Sequence, residues 1–187
     1  PAEKDVVGRW LGALGEPLDG GDAPGGPERD VTAKAGGDAV GSELLREPPS
    51  VEDRKPITTP LITGVKALDA LTPVGRGQCM LLTGEVGTEL SRLGLDTIAA
   101  QHKNNTGVRC VYGAVGAASR DGGAAAVDAL TRAGAMTHTT VVSCAPDACL
   151  AERYVATAAA FAVAEGARAE GKDVLLVLDD FTGLVGF

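Results

Sequence analysis

Aromatic side chains are scarce in this sequence: one Trp, two Tyr and three Phe among 187 residues, 3% in all. A core must therefore be built mainly from Ala, Val and Leu, in a chain that is 44% apolar and of a length suited to one domain. Basic charge is also short. Seventeen Lys and Arg stand against 25 Asp and Glu, a net of −8, which argues against the clustered basic face that nucleic acid requires. No apolar run reaches the roughly 18–20 residues needed to cross a bilayer. The Ala-rich stretch 155–164 is too short and too weakly hydrophobic, so no direct membrane span is expected. The four cysteines, Cys79, Cys110, Cys144 and Cys149, fit neither a zinc spacing nor a C-x-x-C redox pair. Cys79, Cys110 and Cys144 sit in apolar strand-like runs and read as small buried hydrophobes. His102 and His138 lack a second ligand at helical spacing and read as surface or loop residues.

The chain changes character along its length. Residues 6–10 read as a short strand followed by a turn through Pro17. Residues 20–41 are rich in Gly, Pro, Ala and Asp, with too few large apolar groups to offset the entropy of ordering, and read as a loop. Pro48, Pro49, Pro56 and Pro60 mark an extended connector. We divide the chain into an N-terminal part, 1–60, and a main domain, 61–187. Within the main domain the patterning predicts a helix over 63–71 with Thr63 as N-cap, a strand over 79–83 and a helix over 89–101. A strand over 108–115, a helix over 122–133, a strand over 139–144, a helix over 148–170 and a strand over 174–178 follow. Strands alternating with helices imply an α/β fold with a mainly parallel sheet flanked by helices, whose ligands sit beyond the C-terminal strand ends.

Two segments fall at such ends. Gly84-Glu85-Val86-Gly87-Thr88-Glu89-Leu90-Ser91 follows the predicted strand 79–83 and opens the predicted helix 89–101. Its register is that of G-x-x-x-x-G-K-[ST], in which glycines let backbone amides cradle phosphate and the Lys reaches it. Gly84 and Ser91 hold the first and last positions. Glu89 stands at the second Gly and Leu90 at the Lys. Downstream, the apolar strand 174–178 ends in Asp179-Asp180, the arrangement in which a carboxylate serves a nucleotide's Mg²⁺.

The run from Pro60 through Thr63-Gly64-Val65-Lys66-Ala67-Leu68-Asp69 to Gly77-Gln78 closely resembles the segment before the phosphate loop in the α subunit of rotary ATP synthases. The resemblance extends, in register, to Gly8-Arg9, Pro17-Leu18-Asp19-Gly20, Arg54-Lys55, Leu95-Asp96-Thr97-Ile98, Gln101, Val108-Arg109-Cys110-Val111-Tyr112, Gly134-Ala135-Met136 and Asp179-Asp180. It implies a truncated P-loop NTPase (RecA-like) domain. The departures lie at the chemistry. The family loop GDRQTGKT is here GEVGTELS, and Ala117-Ala118 follow Gly116 where the α subunit has Gln-Lys and the catalytic β subunit Glu-Arg.

The resemblance with these departures implies a degenerate P-loop domain and a pseudo-ATPase without catalytic residues. Gly84, Gly87, Thr88 and Ser91 become vestigial nucleotide-site positions, and Asp179 with Ser91 the metal position should a nucleotide bind. No cofactor is expected, residual Mg-nucleotide binding being the exception. The expected role is a structural or accessory subunit of an organellar energy-converting complex, with an ATP-binding regulatory module or weak ATPase as the alternative. Partner subunits would cover the exposed edge of a sheet cut short. The implied location is the mitochondrion, in an inner-membrane-associated complex, with the chloroplast as alternative.

Overall fold

Four strands, all parallel, form the central sheet of the computed structural model, which describes residues 6–22, 50–85, 88–116 and 121–181. They are β1 (Trp10–Leu11), β4 (Arg109–Ala114), β5 (Thr139–Ser143) and β6 (Val174–Asp179), in the spatial order β1-β5-β4-β6. The register sets Tyr112 of β4 between Val141 of β5 and Val177 of β6. Before the sheet's main run, β2 (Pro60–Leu61) and β3 (Val74–Gly75) form a small antiparallel ribbon around helix α1 (Lys66–Leu71). Helices α2 (Leu90–Lys103), α3 (Ala124–Arg132) and α4 (Leu150–Ala169) connect the sheet strands, and a 3-10 turn over Ala135–His138 leads into β5.

The alternation of side chains along β4 sorts the core into two layers. Cys110, Tyr112 and Ala114 pack with Ile98 of α2 and with Ala126 and Leu130 of α3. Val111 points the other way and packs with Val142, Ala160 and Ala164 against α4. The scarcity of aromatics is met by close approach. A Cβ on Gly113 would come within 2.8 Å of Leu178 Cδ2 and 3.4 Å of Ala160 Cβ, so glycine lets the Ala-rich face of α4 settle on the sheet. Gly94 does the same for α2, where a Cβ would lie 2.7 Å from Val177 Cγ1.

Helices α2, α3 and α4 and strands β4, β5 and β6 lie where the patterning predicts them. Several other expectations need correction. Residues 79–83 form no strand: Leu81 is 78% exposed, and Cys79 is exposed rather than buried. An apolar run becomes a strand only when a neighbour pairs with it, and sequence alone cannot supply the neighbour. Cys110 and Cys144 are buried as expected, and burial pushes the Cys110 thiol up to about 12. The first helix begins at Lys66, and its N-cap, Val65, carries no side-chain cap. Thr63 sits outside it. Its N–H and Oγ1 donate to Asp69 Oδ1 at 2.8 and 2.7 Å, while Oγ1 accepts from Val65 N–H at 3.1 Å. His102 and His138, read as separate surface or loop residues, meet: their rings stack with centroids 5.2 Å apart, joining the end of α2 to the 3-10 turn. Burial, His102 and Arg109 hold the His138 imidazole below its ordinary pKa. Most of the Gly- and Pro-rich loop, from residue 23 on, lies outside the described residues.

Candidate functional site

The C-terminal ends of β4 and β6 and the N-terminus of α2 converge. The sequence placed Ser91 and Asp179 in one site, and the fold brings them together: Ser91 Oγ donates to Asp179 Oδ1 at 2.9 Å. The other carboxylate oxygen, Oδ2, accepts from the Tyr112 hydroxyl at 2.5 Å. Tyr112 is 1% exposed, and its burial, followed by the Asp179 contact, raises its pKa well above the ordinary phenol value. It is therefore a protonated donor at neutral pH. Tyr112 was not singled out as a site residue, although strand alternation gave a usable signal: it lies two residues before the end of β4, beside the end of β6.

Beside this pair, Gly116 packs flat against the backbone of Asp180, where a Cβ would collide with the Asp180 N and O atoms. The amides of Val115 and Gly116 both donate to the Asp179 carbonyl, at 2.7 and 3.1 Å. Arg153 of α4 closes the same end of the sheet by donating to the Val115 carbonyl at 3.2 Å. The position after Gly116, Ala117-Ala118, lies outside the described residues.

Gly84 and Thr88 also meet. A Cβ on Gly84 would sit 3.2 Å from the Thr88 side chain, and Thr88 N–H donates to the Glu85 carbonyl at 3.0 Å. Gly87 lies outside the described residues. Glu89 occupies the N-cap position of α2 without a side-chain cap, and its carboxylate lies 3.5 Å from Arg92 Nη1 at the surface. Leu90 is the first helical residue and is half-buried. A helix N-terminus favours an anion through its free amides and dipole. Here the residue at that end brings its own carboxylate. Among the described residues no group of three or more His, Cys, Asp or Glu side chains could hold a metal ion.

Among known proteins, residues 64–185 match the ATP synthase alpha/beta family, nucleotide-binding domain. The chain belongs to this family. ATP synthase subunit alpha of Dehalococcoides mccartyi (strain ATCC BAA-2266 / KCTC 15142 / 195) is 37% identical over 179 residues, covering 96% of this chain and 33% of that protein. The subunit alpha of Caldanaerobacter subterraneus subsp. tengcongensis is 36% identical over 183 residues, covering 97% and 33%. That of Lactobacillus helveticus (strain DPC 4571) is 37% identical over 183 residues, with the same coverage. The chain thus spans about a third of the length of these relatives.

The relatives overturn the expected location. They are bacterial proteins and point to a bacterial origin, not to a mitochondrion or chloroplast. The organellar expectation rested on the family resemblance alone. Bacterial family members share the sequence that carries the resemblance. Among the described residues no helix is long and apolar enough to cross a membrane.

Proposed function

We propose that this α-like domain is non-catalytic and serves as a structural or accessory subunit of a larger energy-converting assembly, with a degenerate phosphate loop. The observation that carries the reading is the state of Asp179. Both carboxylate oxygens accept hydrogen bonds from within the chain, from Ser91 and Tyr112. The carboxylate acts as a tie between the end of β6, α2 and β4, a role that needs neither nucleotide nor metal. The loop supports the same reading. Glu89 places an acid where the family has Gly, and Leu90 offers no charge where the family has Lys. These residues do not fit a Mg-triphosphate, and no catalytic step is assigned to them. Gly84, Gly87, Thr88 and Ser91 are, in this reading, remnants of ancestry.

Other protein subunits are the partners in this proposal, covering the exposed edge of the sheet at β6. Neither nucleic acid nor a membrane span has a role in it. Blue-native electrophoresis of gently solubilised source cells, probed for this chain, tests the assembly. Migration in a complex of several times the chain's mass is expected, and migration as a free monomer refutes the subunit role. A second reading, an ATP-binding regulatory module or weak ATPase, draws on the Ser91–Asp179 contact, which keeps a hydroxyl and a carboxylate together at the helix N-terminus. Nucleotide binding decides between the two.

A further inference from the structure

A chain with only six Phe, Trp and Tyr residues places two of them on one exposed helix face. Helix α4 packs on the sheet through small residues. Ala160 and Ala164 meet Val111 and Val142, and Ala156 meets Val115 just beyond β4. On the other side of the helix, Leu150, Tyr154 and Phe161 are 40%, 56% and 45% exposed. At 3.6 residues per turn the three fall within about 40° of arc, and the exposed Arg168 lies on the same line. Single exposed apolar residues are ordinary. A row of a leucine and two aromatics is not, and Tyr and Phe are enriched where proteins meet.

The charges at the ends of the row point to its occupant. Asp147, in the turn before α4, and Arg168, in its last turn, are both exposed. Among the described residues neither makes an ion pair. Let a second copy of α4 lie antiparallel on the first, with Tyr154 of each copy opposite Phe161 of the other. The twofold axis then passes between Thr157 and Ala158, small residues that are 7% and 9% exposed and let the helices approach closely. This choice fixes every other pairing. Asp147 precedes Tyr154 by seven residues and Arg168 follows Phe161 by seven. Arg168 of each copy therefore meets Asp147 of the other, at both ends of the contact. The pair Leu150 with Glu165 is the least complementary, offering only methylenes to the leucine. Antiparallel helix dipoles add a small attraction.

We infer that the exposed face of α4 is an interface between two copies of this chain, packed antiparallel about a twofold axis at Thr157-Ala158. Tyr154 and Phe161 are its anchors, and Asp147–Arg168 pairs close both ends. The same patch serves both copies, so association stops at the dimer. One helix face per copy is smaller than a standard interface, which makes the dissociation constant micromolar or weaker. The face lies across the sheet from α2, which packs on the Tyr112 side. The inference therefore depends neither on the proposed subunit role nor on the loop's nucleotide chemistry.

Sedimentation equilibrium of the purified chain, from about 1 μM to about 1 mM, tests it. The mass is expected to rise from that of one chain to that of two and no further. Phe161→Glu identifies the face and should weaken association at least about tenfold. Arg168→Asp and Asp147→Arg, made singly, each set like charges together at both ends and should weaken it by about tenfold at low salt. Mixing these two charge variants should restore association, because every end pair is then opposite in sign. A chain that stays monomeric at the highest concentration overturns the inference and leaves the face to a different subunit. A mass that climbs past two chains overturns it as well, as does association that Phe161→Glu leaves unchanged. A mixture no tighter than the single charge variants refutes the antiparallel register. The charge variants alter only exposed residues, so they decide the question even should Phe161→Glu fail to fold.

Discussion

If Asp179 is a structural tie, its bond to Tyr112 must carry stability, and Tyr112→Phe measures it. The substitution leaves the ring in a site that is 1% exposed and removes only the hydroxyl, whose acceptor is a carboxylate oxygen. Hydrogen bonds to charged groups contribute about 1.5–3 kcal/mol. Asp179 is half-buried and keeps Ser91, so water can replace part of the loss, and the lower end applies, about 1.5 kcal/mol. For a chain of this size that corresponds to roughly 3–6 °C in Tm. The control is the same change in an Asp179→Ala background. There the tyrosine hydroxyl is already without its acceptor, so removing it should cost under about 0.5 kcal/mol or even stabilise. Urea denaturation of the four proteins gives the coupling energy. A Tyr112→Phe cost that is equal in the two backgrounds would refute the tie, because the loss would then come from packing alone.

Two further outcomes are expected. The His138 imidazole is held below its ordinary pKa by burial, His102 and Arg109, so the unfolded chain binds its proton more readily. The stability this gives is present above the ordinary value of about 6.5 and is lost as pH falls through the folded-state value. The urea midpoint should therefore drop between pH 7.5 and 5.5, and His138→Phe should flatten that drop; an unchanged slope would clear the stacked pair of any part in it. In the loop, the double change Glu89→Gly with Leu90→Lys should raise MgATP affinity. The Glu89 side chain is 75% exposed, so each change is discounted toward the aqueous value of about 1 kcal/mol at 4 Å. The two together should give at least about a tenfold gain by calorimetry; no gain would mean that these residues are not what weakens the site.

Much of the fold was legible because its signals are local. The apolar runs of β4, β5 and β6 and the long Ala-rich α4 each announce themselves within a few residues, and the pairing of Ser91 with Asp179 followed from the loop and strand-end register. Features that depend on distant partners were not legible. The run 79–83 has strand composition, yet a strand forms only against a neighbour, which the run itself does not specify. His102 and His138 are 36 positions apart and meet only because the end of α2 lies against the 3-10 turn. Gln101, 1% exposed, looked like one polar residue of a helix, but its Nε2 donates to the Ile62 carbonyl at 2.7 Å and links α2 to the segment after β2. Tyr112 was visible as part of a strand, and only the fold showed that its hydroxyl reaches the carboxylate at the centre of the site.

Titration of the purified wild-type chain with MgATP by calorimetry, alongside Asp179→Ala, bears most directly on the proposal that this family domain has given up nucleotide chemistry. The proposal predicts no saturable heat into the millimolar range for either protein. Saturable binding at micromolar MgATP, abolished by Asp179→Ala in a variant that remains folded, would contradict it and make Ser91 and Asp179 a working site.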